Sequence, residues 1–189
     1  MKPLAVSEIS NIADYELERP TLRPKMIALK DRRRIRVGGH LTFLFENRET
    51  VRYQIQEMMR IERITELAAI RHEVDTYNEL IPTSGELSAC LLIEYELAAE
   101  RDQRLRELRG LEDHVAIAVA GLPPSRARFD TRQISTDRLS SVQYLKFPLT
   151  PEQCARWSTG ARIVIDHPNM RADQPLSADQ LAELTPDFA

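Results

Sequence analysis

Along the 189 residues of this chain the spacing of apolar positions changes several times, and each change marks an element. Between residues 34 and 46, Ile35, Val37, Leu41, Phe43 and Phe45 fall on odd positions, and Arg36, His40 and Thr42 on even ones. That is the alternation of a strand with one buried face. Gly38-Gly39 interrupts it. A two-residue turn would set Val37 against His40 and Ile35 against Thr42, opposing apolar to polar. A three-residue loop pairs Val37 with Leu41 and Ile35 with Phe43, and a single strand carrying a glycine bulge keeps the same phase. Both readings stay open at this point.

Before this segment, Ser7 predicts the cap of a short helix over about residues 8–18, interrupted by Pro20, and Pro24 suits the first position of a second helix ending near Arg33. After Asn47 the chain holds no proline or glycine until Pro82 and is rich in Gln, Glu, Met, Arg, Leu and Ala, which predicts one long helix over about residues 48–80. "ELSACLLIEY" reads as a buried strand, "LAAERDQRLRELRG" as a helix closed by Gly110, "HVAIAVAG" as a strand and "LPPSRARFDTRQISTDRL" as a loop. "VQYLKFPL" is a strand, and "TPEQCARWSTG" a helix announced by Thr150, Pro151 and Gln153. "ARIVIDHP" is a strand ended by its proline, and Ser177 with Gln180 caps a last helix, "ADQLAEL". Residues 89–120 and 142–166 thus both read strand, helix, strand, the mark of a duplicated unit if the two are related. The pattern predicts an α+β fold: N-terminal helices and one long helix packed on a small mixed β-sheet containing strand-helix-strand units. We expect a single domain over residues 1–189, helix-rich over 1–85 and sheet-rich over 86–189, sharing one core.

Composition adds a setting. Hydrophobic residues make up 42% and charged residues 29%, the balance of a soluble globular protein, and the net charge of −3 excludes a chain that is basic overall. Cys90 and Cys154 are the two cysteines, too few for a disulfide framework and consistent with a reducing cytoplasm. The first twenty residues acquire acids too early for a signal peptide, and no run reaches the roughly 18 apolar residues of a membrane span. A cytoplasmic location without membrane association is therefore expected.

Candidate chemistry begins with "HEVDTYNELIP", residues 72–82. Its His-Glu opening looks like a zinc protease helix, but the second histidine that motif needs is replaced by Thr76. On one continuous helix Glu62, Glu66 and Glu73 would share a face flanked by His72, with Glu57 or Asp75 near it. Two readings follow: acids neutralised by solvent, arginines or a partner, or a divalent metal site built from Glu62, Glu66, His72 and Glu73. "KDRRRIR", residues 30–36, offers Arg32, Arg33, Arg34 and Arg36 as an anion-binding or interface cluster, although cations also suit a helix C-terminus. No stacking aromatics accompany it, so nucleic acid is not the expected partner. Gly38-Gly39 lacks the spacing of a phosphate loop. Cys154 at a helix start and His167 at a strand end form a conceivable thiol–imidazole pair, with ordinary packing and turn chemistry as the alternative.

The stretches "IALKDRRRIRVGGHLTFLFENRETVRYQIQEMMRIERI", "HEVDTYNELIP", "LSACLLIEY" and "VQYLKFPL...DHP" resemble, in order and over nearly the whole chain, the bacterial DUF3501 family, a domain of unknown function. No catalytic residue comes with the resemblance. It implies an accessory place in redox or peroxide chemistry, because members are often encoded near rubrerythrin-like and iron–sulfur oxidoreductase proteins. Two isolated cysteines argue against an iron–sulfur cluster in this chain. The leading expectation is a self-associating interaction protein with a partner in a redox system, and the alternative is a metal-binding protein or enzyme using the Glu/His cluster.

Overall fold

The computed structural model describes residues 1–135 and 137–188. An extended N-terminal segment with a short 3-10 turn at Val6–Glu8 leads to Asn11, whose side chain accepts the Asp14 amide and caps helix α1, Ile12–Arg32. This helix passes unbroken through Pro20 and Pro24, so the expected Ser7 cap and the interruption at Pro20 are corrected. Each proline removes one backbone donor, but both lie on the exposed side of the helix, where water reaches the carbonyls of Glu16 and Pro20.

Strands β1 (Arg34–Val37) and β2 (Leu41–Glu46) form an antiparallel hairpin with Val37 opposite Leu41 and Ile35 opposite Phe43. The three-residue loop is the reading that holds. Gly38 has φ +61°, a left-handed backbone that favours glycine; a Cβ there would meet only the flexible end of Met170, at 2.5 Å from its Cε.

Asn47 caps α2, Arg48–Glu62. The single long helix then proves to be two. Arg63 turns left-handed at φ 56°, and α3 begins at Leu67 and runs to Asn78. A left-handed L residue costs about 1–2 kcal/mol. Here the cost is offset by what the break permits: Ile64 donates its amide to the Met59 carbonyl at 2.9 Å and packs against the buried cluster that includes Val51, Ile55, Met59 and Val74.

Beyond it follow β3 (Glu86–Ile93), α4 (Ala98–Glu107) and β4 (Val115–Val119). The predicted loop after β4 contains two short strands, β5 (Ser125–Arg126) and β6 (Arg128–Phe129), and its residue 136 lies outside the described residues. Next come β7 (Val142–Pro148), α5 (Pro151–Arg156) with its Thr150–Gln153 capping box, and β8 (Ala161–His167). A hairpin then adds β9 (Met170–Pro175), which the sequence reading did not include, and the Ser177–Gln180 pair caps α6 (Ala178–Phe188).

The fold is α+β, with the strands divided between two antiparallel sheets instead of one mixed sheet. One has the order β1-β2-β3-β7-β6 and the other β5-β4-β8-β9. The strand-helix-strand units cross from sheet to sheet: β3 and β7 lie in the first, β4 and β8 in the second. Phe43, Leu91 and Phe147 of the first sheet join Ile117, Ile163 and Ile165 of the second in the main buried cluster, closed by Trp157, Leu184 and Phe188. A second buried cluster, Leu4, Val51, Ile55, Met59, Val74 and Ile81, holds α2, α3 and the N-terminal segment together. Among the described residues no helix is long and apolar enough to cross a membrane.

Candidate binding cleft

The break at Arg63 removes the common ridge on which the acidic cluster was drawn. Glu62 is the last residue of α2, Glu66 precedes α3, and His72 and Glu73 lie on α3; Glu62, Glu66 and His72 are exposed. Among the described residues no group of three or more His, Cys, Asp or Glu side chains is placed to hold a metal ion. Glu57 points elsewhere, taking the Tyr15 hydroxyl at 2.6 Å and the Arg19 guanidinium at 2.7 and 3.1 Å. The Arg19 hydrogen bond overcomes burial and brings its carboxyl to about 2. Asp75 is exposed.

The arginine run is divided among different tasks. Arg33 is buried at 1% exposure, as is Asp187, with which it forms an ion pair. It also donates to the carbonyls of Phe45 at 2.9 Å and Glu46 at 3.3 Å and to the Glu183 carboxylate at 3.3 Å. Arg32 pairs with Glu183 at 2.8 Å and Arg34 with Asp31 at 3.0 Å, while Arg36 is exposed. Three of the four guanidiniums are thus engaged within the chain, and two of them tie α6 to the end of α1. Cys154 and His167 are not brought together as a pair: His167 bonds to the Arg109 carbonyl at 2.9 Å and accepts the Asn169 amide at 3.2 Å, and burial pushes the Cys154 thiol up. Cys90 is pushed up to about 12 by burial and by the nearby Glu46 carboxylate.

A different set of residues makes a cleft. On the side of the first sheet away from the main core, register aligns Glu46, Ser88, Lys146 and Arg128 across β2, β3, β7 and β6. This polar row runs from the buried Glu46 to the exposed Arg128. The last turn of α3 and the residues after it stand over its outer end. Between them lie two adjoining hollows of about 430 and 340 Å³, sharing Glu79, Leu80, Asp130, Arg132 and Tyr144. Phe129 and Lys146 line the first and Glu73 and Tyr77 the second.

Most charges of the cleft are already paired. Arg132 bridges Asp130 and Glu79, and so joins the loop to the end of α3. Lys146 holds Glu86 at 2.7 Å; burial acts to raise that carboxyl, but this bond and the Thr83 amide leave it below the usual value. Burial raises both Tyr77 and Tyr144, which therefore remain protonated donors at neutral pH. Arg128 lines the cleft, is exposed, and has no ion pair among the described residues. Such a surface suits a polar ligand that places a carboxylate on Arg128 and exchanges hydrogen bonds with the tyrosines. Sequence reasoning passed over these residues. The available signal was the even-numbered face of β7, where Tyr144 and Lys146 alternate with the buried Gln143, Leu145 and Phe147.

The family described as "Protein of unknown function (DUF3501)" matches residues 3–188. A solved structure described as a novel protein of unknown function from Burkholderia pseudomallei K96243 is 32% identical in sequence, with a TM-score of 0.93 and all of both chains covered. No curated protein matches.

Proposed function

We propose that this chain, which belongs to the DUF3501 family of proteins of unknown function, is an accessory protein that recognises a partner through the cleft between α3 and the β6–β7 edge. The observation that carries this reading is Arg128, a cleft cation with no ion pair among the described residues, beside Lys146, which is held by Glu86. A cleft of balanced pairs gains little from a single free ion. It gains from a partner segment that supplies a carboxylate to Arg128, hydrogen bonds to Tyr77 and Tyr144, and apolar contact to Leu80. The resemblance implies a partner in redox or peroxide chemistry, and in this reading the partner supplies that chemistry. The buried Cys90, at about 12, is a poor nucleophile at neutral pH. Both cysteines are free thiols, which supports a cytoplasmic setting.

The test is a photo-crosslinking side chain at Tyr144 in the native host, with and without Arg128→Glu. One protein captured at Tyr144, with affinity reduced about tenfold or more by R128E while the fold is unchanged, is the expected result. Capture that R128E leaves intact would overturn the assignment to the cleft. Near-stoichiometric iron, manganese or zinc in the purified protein, lost with Glu66→Ala or His72→Ala, would replace it with a metal site.

A further inference from the structure

The second buried cluster is built around a peptide-like ligand that happens to belong to the same chain. Residues 1–11 lie across α2 and α3, with Leu4 buried and Met1, Val6 and Ile9 half-buried against Val51, Ile55, Met59, Val74 and Ile81. Two carboxamides hold this strap by its main chain. Asn78 accepts the Leu4 amide at 2.8 Å and donates to the Leu4 carbonyl at 3.0 Å. Gln56, itself 2% exposed, accepts the Ser10 amide at 2.7 Å and donates to the Ser10 carbonyl at 3.1 Å. Arg48 and Arg52 donate to the carbonyls of Lys2 at 3.0 Å and Glu8 at 3.1 Å. The Met1 amino group donates to the Pro82 carbonyl at 2.9 Å, and one side-chain ion pair joins Glu8 to Arg48.

A groove that grips backbone at two separated residues and takes apolar side chains around them is equipped to bind an extended segment in trans. Every one of these contacts would be satisfied identically by the strap of another copy. The joint is also suited to exchange. Ile9 and Asn11, on either side of Ser10, are in extended conformations, φ −100°, ψ 119° and φ −64°, ψ 165°, so the strap leaves α1 without a left-handed residue to undo. We infer that the α2–α3 groove accepts residues 1–11 of a second copy, joining two chains by reciprocal exchange of their N-terminal straps. The intramolecular strap competes at an effective concentration of about millimolar, so exchange is favoured where the chain is concentrated or the strap is transiently released.

Charge reversal tests it. In Glu8→Arg alone, and in Arg48→Glu alone, every strap meets a like charge, whether it folds back or exchanges with an identical chain. When the two variants are mixed, exchange restores both pairs at once. The strap of the E8R chain, now basic, meets the acidic groove of the R48E chain, and the unaltered Glu8 of the R48E chain meets the unaltered Arg48 of the E8R chain. After gentle warming of a 1:1 mixture, native mass spectrometry should show a heterodimer at least about tenfold more abundant than either homodimer. Circular dichroism should confirm that both variants are folded, and E8R/R48E in one chain should behave as the unaltered protein. Folded variants that form no heterodimer would overturn the inference. Should either variant fail to fold, a fluorescent peptide of residues 1–11 titrated against the Leu4→Asp protein, whose own strap is weakened in the groove, decides instead. Saturable binding, about tenfold weaker for the Leu4→Asp peptide, supports exchange, and no binding refutes it.

Discussion

At Asp187 burial and pairing pull in opposite directions. Burial raises the carboxyl and the Arg33 guanidinium lowers it, and the balance lies at about 6 against an ordinary 3.8. The folded chain therefore binds this proton more tightly than the unfolded chain does. The stabilisation from protonating Asp187 is complete below about pH 4 and is lost as pH rises through 6, which makes the ionised form about 3 kcal/mol less favourable at neutral pH. Glu46, beside the same arginine and raised by burial, has the same sign. Glu57 has the opposite one: its contribution, present above about 4.5, disappears as pH falls towards 2. Between pH 7 and 5 the urea midpoint should accordingly rise by more in the unaltered protein than in Asp187→Asn. At pH 7 that variant, which like the protonated acid carries no charge beside Arg33, should by the same linkage be no less stable than the unaltered protein. An unchanged pH slope in D187N would show that Asp187 is not the group that titrates.

The elements differ in how plainly they are written in the sequence. The phase of β1 and β2 was legible because their apolar residues all fall on odd positions, but both a three-residue hairpin and a bulged single strand keep that phase, and only the pairing of Val37 with Leu41 separates them. The caps at Asn47, Thr150 and Ser177 were legible because each satisfies backbone amides within three residues of itself. The α2–α3 break was not, because "RITE" contains no breaker, and what stabilises it is the packing of Ile64 on residues of another turn and another helix. β9 was hidden for a similar reason: it is an edge strand with Arg171 and Asp173 facing water, and its apolar face is thin. The cleft was illegible because it joins α3, β3 and the segment 128–146, and each of its charges looks ordinary in its own stretch. The break offers a test by sign. Arg63→Gly relieves a left-handed L residue and should stabilise by about 1 kcal/mol, read as a higher melting temperature. In a continuous helix the same change would destabilise by a similar amount, so a lower melting temperature would contradict the break.

At the scale of the whole molecule, two buried clusters of unequal size imply two levels of stability. The main cluster spans both sheets and is closed by Trp157, whose indole donates to the Leu181 carbonyl at 3.0 Å, and by Phe188, which packs edge-on against it. The smaller cluster relies on a strap and on α3, in which Val74 is the one buried residue. α3 also stands over the cleft, reached from the loop by Arg132 on Glu79. Loosening the strap should therefore loosen the cleft wall and leave the sheets unaffected. Asn78→Ala removes both bonds to the Leu4 main chain and should accelerate hydrogen exchange about tenfold over residues 1–11 and 67–80, as expected for the loss of about 1–2 kcal/mol of local stability. Exchange over β3, β4 and β8 should be unchanged. Equal acceleration in the strands would mean that the two clusters unfold as one, and that neither the strap nor the cleft can move on its own.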